Sequence, residues 1–166
     1  NIRLACQRFL DQLENKTWGW EFHVKYVEHF LEFVATLSHT KGPDAGKPLI
    51  LEPFQIFAVC AIYGFRSKKN LGKRMVTDVI VFIPRKAGKS TITAAIALYE
   101  LAFGEVGSEV YSLANSRDQA GIVFTAATGF IDMMPPDVAG LYNSQRHQIM
   151  KAGDSQSMFK ALSRDA

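Results

Sequence analysis

Three cations, a glycine and a hydroxyl stand together in Pro84-Arg85-Lys86-Ala87-Gly88-Lys89-Ser90. The stretch follows an apolar run, Val79-Ile80-Val81-Phe82-Ile83, and precedes a run of good helix formers. A strand, a tight loop ending Gly-Lys-Ser and a helix make the layout of a phosphate-binding loop. Backbone N–H groups at a helix start point at an anion, and the macrodipole favours negative charge there. In such a loop Lys89 reaches the β- and γ-phosphates and the Ser90 hydroxyl holds Mg²⁺. Gly88 matters because a Cβ there would hinder close approach to phosphate. Lys86 and Ala87 complete the backbone that wraps the anion. Thr91 either adds a hydroxyl near the α-phosphate or is an ordinary helix-start threonine. Arg85 either contacts the γ-phosphate through its planar guanidinium or is a solvated arginine. The full pattern is G-x-x-x-x-G-K-[ST], and Ile83 stands where its first glycine belongs. The chemistry expected is the binding of ATP with Mg²⁺.

Other residues are candidates on weaker grounds. Gln55, two residues after Pro53 at a helix start, either reads an adenine edge, since its amide donates and accepts at once, or caps the backbone. Ala114-Asn115-Ser116-Arg117-Asp118-Gln119-Ala120 follows a strand, and ligand sites gather at the carboxyl ends of strands in open parallel sheets. Asn115 or Ser116 as a helix cap is the plainer explanation. Arg117 is a candidate for an arginine supplied to a neighbouring subunit. Arg66-Ser67-Lys68-Lys69-Asn70-Leu71-Gly72-Lys73-Arg74 is the densest basic stretch, either a contact for phosphate backbones or a solvated loop. One part is missing: a triphosphatase needs a carboxylate at the end of another strand. Asp132 falls in a helical pattern and Asp78 inside the first strand, so the catalytic acid is expected beyond residue 166.

The elements that must position these groups follow from periodicity. Residues 2–14 predict one helix and residues 21–38 a second, with Val24, Val27, Phe30, Leu31 and Val34 as its apolar stripe. Trp18 and Trp20 are either core anchors or base-stacking rings. Residues 40–47 are a loop, Pro53 opens a third helix, and residues 64–74 are a connector. Residues 75–83 predict a strand buried on both faces. A helix over 90–103, a strand over 109–113, a helix over 117–133 and two short strands over 148–151 and 157–162 complete the order. Alternating β and α predicts an α/β fold with a parallel sheet and right-handed crossovers. The divisions expected are a helical segment over 1–74 and a phosphate-loop core over 75–166.

The bulk numbers set bounds. The chain has 166 residues, of which 48% are hydrophobic and 21% charged, enough for a domain with a real core. A net charge of +3 is too small to name a nucleic-acid partner. Cys6 and Cys60 fall in apolar helical patterns and are expected to be buried free thiols, which fits a reducing cytoplasm. The four histidines show no metal-ligand spacing with them. No apolar run is long enough for a membrane helix. The opening Asn1-Ile2-Arg3-Leu4-Ala5 looks neither like a signal peptide nor, lacking Met, like a natural start; a piece of a longer chain is expected.

Taken together, Leu51-Glu52-Pro53-Phe54-Gln55, Pro84 to Ser90, Ala114 to Ala120 and the closing Phe159-Lys160-Ala161-Leu162-Ser163-Arg164-Asp165-Ala166 resemble the large terminase subunit of tailed phages, of the HK97-like kind. The order and spacing of the motifs carry the resemblance, which covers nearly the whole chain. It implies the ATPase domain of a motor that drives double-stranded DNA into a preformed capsid. The implied fold is a P-loop NTPase of the ASCE type, its parallel sheet flanked by helices, here without its later strands. In that family the loop is deviant and carries an internal arginine, as Arg85 does here. Gln55 would be the adenine-sensing glutamine, and Lys89 and Ser90 the phosphate and Mg²⁺ residues. The implied partners are the portal protein, the terminase small subunit and further copies in a ring, in the host cytoplasm at the capsid. The family's RNase H-like nuclease domain has no counterpart in these residues. Two other readings stay open: a helicase-like P-loop ATPase, and a DNA- or capsid-binding module whose loop is vestigial.

Overall fold

A computed structural model describes residues 2–163, so Arg164, Asp165 and Ala166 of the closing motif lie outside the described residues. The chain divides into two compact units. The first takes residues up to Glu32 together with Leu51–Val81; the second takes Phe33–Ile50 and the residues from Phe82 onward.

In the first unit, α1 (Ile2–Glu14) leads to β1 (Trp20–Phe22), which pairs antiparallel with β2 (Phe65–Ser67). Between them come the start of α2 (Val24–Ala35), α3 (Pro53–Val59) and a π-helical turn, Cys60–Gly64. The core of this unit is aromatic. The Phe9 ring lies 5.6 Å from Phe22, 5.4 Å from Phe57 and 5.3 Å from Phe65, at tilted or edge-on angles that suit ring quadrupoles. Trp18 packs on Phe65 at 5.6 Å, which is the anchoring role rather than the base-stacking one. The π turn brings Gly64 against the Phe22 ring, where a Cβ would collide. Cys6 is exposed rather than buried, because α1 buries no residue completely; Cys60 is half-buried.

The basic connector is organised from beneath. Arg66 is only 8% exposed; its Nε donates to the Tyr63 carbonyl at 3.0 Å and its guanidinium lies 3.9 Å from the Tyr26 ring centroid. Arg74 lies over the Tyr63 ring at 5.5 Å. Cation–π stacking thus occupies two of the five expected phosphate-binding cations. Lys68 Nζ donates to the Lys16 carbonyl at 2.8 Å, and Lys69 and Lys73 are exposed.

The second unit is a four-stranded sheet with helices packed against it. The helices are α4 (Lys89–Phe103), α5 (Arg117–Met133) and the short α6 (Pro136–Ala139). The strands are β3 (Glu109–Ala114), β4 (Tyr142–Ser144), β5 (Gln148–Lys151) and β6 (Asp154–Ser163), in the order β3-β6-β5-β4. β3 and β6 are parallel, as a crossover through α5 requires, but β5 and β4 return antiparallel, so the sheet is mixed rather than parallel. The tight turn at Gly153 (φ 77°) forces that reversal, since a turn of this length joins only antiparallel strands. Alanines 94, 95, 97 and 102 let α4 pack closely, with Leu98 and Leu101 fully buried beside them. Phe130, Ile149 and Phe159 close the core, each contributing ~1.5–3 kcal/mol by burial.

The strand expected over 75–83 does not form. Residues 76–84 carry no ladder pairing among the described residues. Ile80 is 95% exposed and Phe82 fully exposed, with Val79 and Val81 about half so. β-branched residues favour an extended backbone, but a strand also needs a neighbouring edge for its N–H and C=O groups, and none is paired with this segment. No helix among the described residues is long and apolar enough to cross a membrane.

Candidate functional site

The loop before α4 has the backbone that its sequence calls for. Lys86 has φ 66° and Gly88 φ 74°, both left-handed, and the helix begins immediately after, at Lys89. Glycine adopts that conformation freely, whereas a lysine there is strained. Lys86 has the only positive φ among the described non-glycine residues. The first N–H groups of α4 precede its hydrogen-bond ladder and have no partner within it; the ladder starts with Ile92 N–H donating to the Gly88 carbonyl at 3.0 Å.

Lys89 closes the loop. Its ammonium donates to the Ile83 carbonyl at 2.6 Å and the Pro84 carbonyl at 2.7 Å. Hydrogen bonds from charged groups contribute about 1.5–3 kcal/mol each, so the side chain holds both ends of the turn together. Arg85 and Lys86 are exposed, and Ala87, Gly88, Ser90 and Thr91 are half-buried. The first turn of α4 has no acidic residue. Three cations with open amides at a helix start make a local field that attracts a polyanion. For Mg²⁺, the Ser90 hydroxyl is the fitting group here: a hard oxygen donor at the first helical turn. The described residues hold no group of three or more His, Cys, Asp or Glu placed to bind a metal ion by themselves. A metal here must therefore take most of its oxygens from phosphates and water.

Gln55 lies in the first unit and the phosphate loop in the second. Its side chain is committed to the helix: Oε1 accepts from the Glu52 N–H at 2.9 Å, forming a capping box with Glu52 at the start of α3. The NH₂ of the amide is the part left to donate to a ligand. At the end of β3, Ser116 caps α5, accepting from the Gln119 N–H at 3.4 Å, and Ser112 donates to the Ala120 carbonyl at 3.0 Å. The plainer reading of Ser116 is the one the structure displays. Arg117 is exposed at the first position of α5.

A cavity of about 220 Å³ opens beside Ser90 and Thr91, with His39, Thr40 and Lys41 on its other side. The sequence identifies these three residues only as loop. Their one visible signal was the glycine pair Gly42 and Gly46, whose positive φ values shape that loop.

Three similarities bear on the identity of the chain. The family described as "Terminase large subunit, ATPase domain" matches residues 53–166. The "Terminase, large subunit" of Enterobacteria phage HK97 is 32% identical over 97 residues, covering 57% of this chain and 18% of that protein. The crystal structure of the HK97 bacteriophage large terminase superposes with a TM-score of 0.65 at 27% identity, covering 84% of this chain and 28% of that one. The chain therefore spans less than a third of the length of either relative. The family match takes in the phosphate loop, the turn after β3 and the whole sheet of the second unit, and on that ground the chain belongs to the ATPase-domain family of phage terminase large subunits.

Proposed function

We propose that the second unit is a P-loop NTPase core that binds ATP with Mg²⁺ and serves a motor driving double-stranded DNA into a phage capsid. The observation that carries this reading is the loop itself. Left-handed Lys86 and Gly88 lead into α4, and Lys89 is folded across the loop's start. In this reading the α4 amides and Lys89 take the β- and γ-phosphates, and Arg85 contacts the γ-phosphate from an exposed position. Ser90 supplies a hydroxyl to Mg²⁺ and Thr91 one near the α-phosphate. Lys86 and Ala87 shape the backbone between. The NH₂ of Gln55 reads the adenine edge. Bound Mg²⁺ neutralises phosphate charge; everything else asked of these residues is binding and orientation.

The HK97 relatives carry the name of a large terminase, and the working partners proposed from it are the portal protein, the small subunit and further copies in a ring. The site of action proposed is the capsid portal in the host cytoplasm. The segment 1–74 would then serve as the adenine-side half and 75–166 as the phosphate-side half of the motor domain.

The test is Lys89→Ala in the intact protein. ATP-dependent packaging should be abolished while the far-UV spectrum and melting curve stay as in the parent. Packaging that continues unimpaired would sink the assignment.

A further inference from the structure

The cavity beside the first turn of α4 is built from elements outside every motif of the loop. One wall is a single face of α5, where Ile122, Ala126 and Phe130 stand four residues apart and so line up. The facing side carries His39 and Lys41. That segment is fixed: His39 N–H donates to Lys47 at 2.9 Å, Gly46 N–H to His39 at 2.8 Å and Leu49 N–H to Leu37 at 2.8 Å. Ser38 and Pro48 also bridge. Its distance from α5 is set where Thr40 meets Gly129; a Cβ on that glycine would lie 3.1 Å from the Thr40 methyl. The cavity floor is Ser90 and Thr91, which the phosphate loop shares.

Size and chemistry narrow the occupant. A pocket for a whole drug-sized ligand runs from roughly 300 Å³ upward, so 220 Å³ suits part of a molecule. One side is apolar and the other offers a cation and an imidazole, which suits a flat heterocycle with a polar edge. A ligand anchored by its phosphates at the start of α4 has its remaining end next to this opening. We propose that the cavity receives the base and sugar of the nucleoside triphosphate, the ring face against Ile122, Ala126 and Phe130, and the polar edge towards His39 and Lys41. This rests on the phosphate-loop reading above. It makes the 39–41 segment a determinant of nucleotide affinity, independent of Gln55.

Two probes separate the cavity from the loop: Mg-ATP and inorganic Mg-tripolyphosphate, which has no base or sugar. In the intact protein, Ala126→Trp fills the cavity. It should weaken ATP binding by about tenfold or more and leave tripolyphosphate binding within about twofold. Lys89→Ala should lose both. Unchanged ATP affinity in a folded Ala126→Trp protein overturns the cavity assignment alone; an unaltered protein that binds neither probe overturns it together with the phosphate-loop reading. Hydrogen exchange on the unaltered protein gives an answer that does not depend on the tryptophan variant folding. ATP should slow exchange at the His39 and Gly46 amides and tripolyphosphate should not. Equal protection by the two ligands, or none from ATP, refutes the proposal.

Discussion

Lys86 is where the loop is under tension. Its φ of 66° is a conformation that glycine takes without penalty and that side chains branched at Cβ resist most. Lys86→Gly is therefore expected to be at least as stable as the parent. Lys86→Val should fall ~1–2 kcal/mol below the glycine variant in urea unfolding. A valine variant matching the glycine one would mean that the loop relaxes out of the left-handed region. Gly88 shares that conformation. The sequence marks Gly88 as a close-approach position but gives no sign of Lys86's conformation, because a lysine in a basic run carries no backbone signature. Lys89 illustrates the same limit. Its place in the loop is readable from Gly-Lys-Ser, but its grip on the Ile83 and Pro84 carbonyls is a product of the turn's shape.

Helices were the most legible elements. The residues 2–14 and 117–133 read from periodicity are α1 and α5 as they stand, and α4 begins one residue early. Strands were less so. The hairpin of β5 and β6 was visible around Gly153-Asp154, but β4 was not, because three residues ending in Asn143-Ser144 show no alternation. The run over 75–83 has strand composition without a strand's partner, and partnership is not written in a local stretch. Asp154 ties the start of β3 to that hairpin. Its carboxylate accepts from the Ser157 hydroxyl, the Gln156 N–H at 3.0 Å and the Gly107 N–H at 3.3 Å. The Ser157 hydroxyl in turn accepts from the Ser108 N–H at 3.0 Å. Chiefly through the Ser157 hydroxyl, then the backbone donors, the carboxyl is pulled down from 3.8 to about 2. A depressed folded value means the stabilisation is complete above the unfolded value and is lost as pH falls from 3.8 through about 2. Asp154→Asn should accordingly be less stable than the parent at neutral pH, with the gap closing across that window in acid-dependent melts. A gap independent of pH would show that the charge is not what holds the hairpin.

At the scale of the whole molecule, the exposed run Val79–Phe82 stands out. Consecutive apolar, β-prone residues with free backbone groups are what chains use to pair with one another. Ile80→Lys in the 166-residue chain should raise the monomer fraction in sedimentation; a variant that self-associates as much as its parent would clear this run of blame. The fold class was legible as α/β, and the mixed sheet was not, since strand direction depends on a single turn at Gly153. Net charge matters little here: at +3 the molecule has no strong long-range pull on anions. Selection of a ligand must then happen within the loop, where the ammonium of Lys89 already has two oxygen partners. Nucleotide binding is thus a ligand exchange rather than the filling of a vacant charge. An incoming anion has to outbid two carbonyl dipoles, which sets a threshold of charge density that a densely charged polyphosphate clears and a weakly charged anion does not.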